Sequence, residues 1–95
     1  MTLSEAEFDL LDRIDRGKQI FRVKLRTREA LKEFDEEVER LLSFRDRGWI
    51  RLEDRHISRT ASGQYLAVGP CELTPAGREA LDRDRRLGPR GHESD

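Results

Sequence analysis

Arg47-Gly48-Trp49-Ile50 and Leu73-Thr74-Pro75-Ala76-Gly77-Arg78-Glu79-Ala80-Leu81 bracket the stretch that decides the fold. Upstream of the first, Leu31, Phe34, Val38, Leu41 and Leu42 recur at helical spacing, and Phe44 carries the apolar face on. Gly48 suits the left-handed position after a last turn. Trp49 beyond it can fold back on Phe44, the apolar contact that accompanies a Schellman end. Trp49-Ile50-Arg51-Leu52 then reads as a strand. Residues 53–63 are polar, carry Ser58, Thr60, Ser62 and Gly63, and read as a loop. Tyr65-Leu66-Ala67-Val68 returns as the partner strand and breaks at Gly69-Pro70. Thr74 as N-cap and Pro75 at the first helical position start a last helix through about Arg85.

Toward the N-terminus the signals are equally local. Ser4 followed three residues later by Glu7 forms a capping box, and Leu3 can staple onto Phe8 across it. Phe8, Leu11 and Ile14 share one face, with Leu10 flanking, until Gly17 stops the helix. Over residues 18–28 the period changes. Phe21, Val23 and Leu25 alternate with Arg22, Lys24 and Arg26, which predicts a strand with one buried and one basic face. No acid occurs between Gly17 and Arg28. Thr27 caps the long helix that follows. Residues 87–95 have little apolar content and are expected as a frayed tail beyond a domain of residues 1–86. The expected core is Leu11, Ile14, Phe21, Val23, Phe34, Val38, Leu41, Ile50, Leu66 and Leu81.

Ninety-five residues make one small domain with a single core. Charged residues form 41% and hydrophobic ones 35%, so that core is thin and the surface densely ionic. A net charge of -1 gives no global pull on a polyanion, so nucleic-acid contact requires a local basic patch. Cys71 alone excludes an internal disulfide and a cysteine-only zinc site. His56 and His92 are the only histidines, and His92 sits in the Gly- and Pro-bearing tail. There is no Gly-rich phosphate loop, no paired metal motif and no nucleophile with an identifiable base. Neither a cofactor nor an enzymatic activity is expected. No apolar run approaches spanning length and the first residues lack the basic start of a signal peptide, so a soluble cytoplasmic protein is expected.

Helix, Gly stop, two strands and a Pro-started helix, in that order, resemble the C-terminal part of winged-helix (winged helix-turn-helix) domains, in an atypical form akin to small bacterial DNA-binding regulators. The resemblance spans residues 4–81. It implies an α+β fold of three helices and a small antiparallel sheet: helix, strand, long helix, wing hairpin, helix. It further implies double-stranded DNA as partner and a role as a small transcriptional regulator or accessory factor. The interval between Gly17 and Gly48 departs from the family pattern. A basic strand and one unbroken helix stand where such regulators place two helices.

The basic strand face is the leading functional candidate. Lys18, Arg22, Lys24, Arg26 and Arg28 can hold phosphates, and Arg55 and Arg59 in the wing loop can add to them. By the resemblance, Arg40, Arg45 and Arg47 of the long helix approach the duplex. The bland alternative has these cations facing the acidic row Glu33, Asp35, Glu36, Glu37 and Glu39, or merely solubilising an open sheet. That row reads as a solvated face with internal pairs such as Glu36 with Arg40. Its functional alternative is a docking face, through Glu33, Glu36 and Glu37, for a basic partner or a second copy. A module that kept the fold and lost DNA is therefore the rival reading. The string Arg55-His56-Ile57-Ser58-Arg59-Thr60-Ala61-Ser62 also has the make-up of a phosphorylation acceptor.

Overall fold

A computed structural model of the chain describes residues 3–86. The tail expectation and His92 lie outside the described residues. The elements run α1 (Glu5–Asp15), β1 (Phe21–Arg22), α2 (Arg28–Asp46), β2 (Ile50–Arg51), a 3-10 turn (Asp54–His56), β3 (Ile57–Arg59), β4 (Tyr65–Val68), β5 (Glu72–Leu73) and α3 (Pro75–Arg86). The fold is α+β, with three α-helices and small antiparallel sheets.

The helix boundaries follow from their caps. The Ser4 hydroxyl accepts from the Glu7 N–H, and the Glu7 carboxylate accepts from the Ser4 N–H at 2.9 Å. The Thr27 hydroxyl accepts from the Ala30 N–H at 3.1 Å to start α2. At the other end Gly48 takes φ +80°. The Trp49 N–H donates to the Phe44 carbonyl and the Gly48 N–H to that of Arg45, the paired bonds of a Schellman motif. The two rings lie 5.7 Å apart, as the sequence predicts. Thr74 starts α3: its hydroxyl accepts from the Gly77 N–H at 3.0 Å and donates to the Gly48 carbonyl at 2.6 Å.

Strand pairing departs from expectation. Tyr65–Val68 does not pair with β2; it is the centre of a three-stranded sheet, β1-β4-β3. The supposed loop thus contains a strand, Ile57–Arg59. A five-residue connection closes its hairpin, through Thr60 N–H to Gln64 carbonyl at 2.7 Å and Gly63 at φ +92°. A local hairpin needs far less loop closure than a strand returning across the whole of residues 53–63. β2 pairs instead with β5, Ile50 opposite Leu73. The first strand, whose expected place is beside the wing in a three-stranded sheet, does pair with β4, but it is shorter than expected. The Val23 N–H still donates to the Leu66 carbonyl at 3.0 Å, after which the chain leaves the sheet to reach the Thr27 cap. Leu25 therefore escapes burial and stands 63% exposed.

One apolar cluster joins all layers: Leu10, Leu11 and Ile14 of α1, Phe21, Phe34, Val38, Leu41 and Phe44 of α2, Ile50, Leu52, Val68, Cys71 and Leu81. Val23, expected inside, is half-buried against it, and Leu66, also expected inside, is only half-buried. Leu3 is buried too, its N–H donating at 3.1 Å to the buried Asp84 carboxylate. Charges clasp α1 to α3: Arg85 pairs with Asp12 and, at 3.4 Å, with Asp15, while Arg78 reaches Asp15 at 3.0 Å. Burial raises the Asp12 carboxyl's pKa, but hydrogen bonds from Arg85 and Arg16 outweigh it and hold it below 3.8.

Two outcomes follow for stability. A Cβ at Gly77 would sit 2.1 Å from the Trp49 carbonyl oxygen, so Gly77→Ala forces α3 off β2. Helix propensity alone would favour Ala by about 1 kcal/mol; the clash instead makes the variant less stable by about 1–3 kcal/mol in urea unfolding. Asp12→Asn lowers stability at neutral pH, because the folded chain holds Asp12 charged more readily than the unfolded chain does. The gap between variant and wild type persists above the unfolded pKa, near 3.8, and closes as pH falls through the lower folded value. Thermal melts at a series of pH values measure it.

Candidate nucleic-acid interface

The cations of residues 18–28 do not stand on one face. Because the chain turns away from the sheet after Val23, they are divided between two grooves that meet at Arg22 and Val23. The first, of about 710 Å³, opens over the sheet and the segment before β1. Its floor is apolar, from Ile20, Val23, Ile57, Leu66, Ala67 and Val68; Arg22, Arg26, Arg55, His56 and Ser58 supply the polar lining. Among the described residues no carboxylate lines it. Among the described residues neither Arg22 nor Arg26 has an acid within ion-pair distance. Arg55 pairs with Glu53 at 2.7 Å, but the side chains are 76% and 62% exposed. Such a pair in water contributes at most about 1 kcal/mol, so a phosphate can take the guanidinium from it.

The second groove, of about 380 Å³, lies between β1 and α2. Lys18, Arg22, Lys24, Arg13 and Arg40 line it together with Glu33, Glu36 and Glu37, over Phe21, Val23 and Phe34. Here the basic segment does face the acidic row, as the bland alternative supposes. The facing charges are mostly not in contact. Arg13 reaches Glu37 at 3.3 Å from α1, whereas Glu36 and Arg40 do not form the pair expected along the helix. Lys18 lies over the Phe21 ring, 5.1 Å from its centre.

Of the remaining candidates, Arg45, Arg47 and Arg59 are engaged with neighbouring groups. Arg45 donates to Asp54 at 2.7 Å and to the Leu52 carbonyl at 3.4 Å, fixing the end of α2 to the chain after β2. Arg47 lies over the Trp49 ring at 4.8 Å and reaches Glu7 at 3.7 Å. Arg59 stacks on Tyr65 at 5.0 Å beside the β3–β4 turn, outside both grooves. Arg28 is exposed at the first residue of α2. In that turn the Thr60 and Ser62 hydroxyls bond each other at 2.9 Å, and Thr60 also accepts from the Gln64 N–H. His56, for which its loop position leaves phosphate contact and plain exposure both open, lines the groove, as does Ile20, 48% exposed and without a role read from the sequence. The only signal for either was nearness to a turn.

Cys71 is fully buried, and desolvation pushes its thiol up to about 11. Among the described residues no three of His, Cys, Asp and Glu converge as a metal site, and no helix is long and apolar enough to cross a membrane. A thiol reagent at neutral pH is expected to label Cys71 only as fast as the chain unfolds. Labelling of native protein at the rate of a free thiol contradicts this burial.

Compared with known protein families, curated proteins and solved structures, the chain matches none.

Proposed function

We propose that the chain holds duplex nucleic acid, most simply DNA, by its phosphate backbone through the groove over the sheet. It would act as a small regulator or accessory factor on an atypical winged-helix scaffold, with the β3–β4 hairpin as wing. The observation that carries this reading is the lining of that groove: three arginines and a histidine with no carboxylate among them, in a chain whose net charge is -1. A single-signed concavity in a near-neutral protein is what phosphate contact requires. No Phe, Tyr or Trp lines the groove, so bases have no ring of that kind to stack on. The support is for backbone holding with little sequence preference.

So few contacts make binding weak, in the non-specific range of about 10⁻⁴–10⁻⁶ M at physiological salt, and steeply salt-dependent. Fluorescence anisotropy with a mixed-sequence duplex at several salt concentrations measures it. The logarithm of affinity is expected to fall with log salt by about 0.9 per phosphate held. Arg26→Glu and Arg55→Glu, both in this groove, are expected to weaken binding and lower that slope by about one each. Lys24→Glu, in the other groove, leaves both nearly unchanged. No affinity at low salt, or equal losses in all three variants, removes the reading.

A further inference from the structure

We propose that the groove between β1 and α2 is where two copies of this chain meet about a two-fold axis, Lys18 and Lys24 of one copy facing Glu33 and Glu36 of the other. The first ground is charge left unused. Nine arginines among the described residues find acids, and one of them, Arg13, does so on the wall of this groove with Glu37. In this groove Lys18, Lys24 and Arg40 stand beside Glu33 and Glu36, yet among the described residues none of the five forms an ion pair. The facing groups await a partner closer than their own chain supplies.

The second ground is symmetry. A basic strip beside an acidic strip is self-complementary: turned through a half-circle, each lies over its opposite, so the same patch serves both copies. The arginine groove over the sheet is of one sign and would repel its own image. The third ground is apolar. The groove is lined by the half-buried Val23 over the buried Phe21 and Phe34. A second copy seated there would cover it. The net charge of -1 leaves little long-range repulsion between copies. If the proposed phosphate reading also holds, the dimer carries two phosphate grooves outside its interface. The dimer itself does not depend on that reading.

Ion pairs at such an edge are screened by salt, so association is expected at low ionic strength and weakens toward about 0.5 M, where the Debye length shrinks to a few ångströms. Sedimentation velocity without nucleic acid tests it. Wild type is expected to dimerise at low salt. K18E/K24E and E33K/E36K, each checked for wild-type circular dichroism, are expected to sediment as monomers alone and to form a dimer when mixed. A wild type that stays monomeric at low salt, or a mixture of reversed variants that does not associate, overturns the proposal. So does a dimer indifferent to both reversals. Wild type that dimerises but binds no duplex sinks the phosphate reading alone; a monomer that binds duplex sinks only this one.

Discussion

Burial of one stripe of α2 is the constraint on which the rest depends. Phe34, Val38, Leu41 and Phe44 are all withdrawn from water, within the same cluster that receives α1, α3 and both sheets. A chain so rich in charge has few apolar side chains to spend, and each fully buried one is worth about 1.5–3 kcal/mol. Those four are among the fourteen buried apolar side chains of the described residues, and no other element contributes as many. The Schellman end at Gly48 then fixes where the stripe stops and sends Trp49 back over Phe44. From that point the direction of β2, and with it the place of β5 and α3, is set.

The charges divide by location according to what their surroundings ask of them. Between α1 and α3, Asp12, Asp15, Arg78 and Arg85 act as a clasp, partly shielded from water, where an ion pair is worth more than at the open surface. Arg45 and Arg47 tie the end of α2 to its neighbours. The cations of residues 18–28 have no such work. Their segment leaves the sheet after Val23, which turns Arg26 toward the sheet-side groove and Lys24 toward α2. Two surfaces of different electrical character, one purely basic and one mixed, arise from a single departure of the backbone from its strand.

Legibility in the sequence tracked the range of the interaction. Ser4 with Glu7, Thr27, Gly48 with Trp49, and Thr74 with Pro75 each act within a few residues, and all four boundaries lie where those residues place them. Pairing was legible only for the first strand, which joins β4 as expected. Ile57 is a lone apolar residue in a polar stretch, too little for periodicity to reveal β3, and the β2–β5 ladder joins segments far apart in the chain. Leu25 misled because alternation runs on in the letters after the backbone has left the sheet. Leu52 and Val68 were missed for the opposite reason: they stand beside turns and Gly-Pro, yet both are buried; Cys71, beside Pro70, is buried as its small apolar character suggests. The grooves were least legible, since they depend on which way the chain turns between Val23 and Thr27.

Thr74 joins two ends of the molecule through one oxygen, which donates to the last loop of α2 at Gly48 and accepts from the first turn of α3 at Gly77. Its own N–H closes on the Trp49 carbonyl as well. Fraying of either helix at this junction strips the other of its terminal bonds, so the two ends open as a unit and the amide protons there exchange with solvent at a common rate. This seam of a small, highly charged domain is thereby made cooperative.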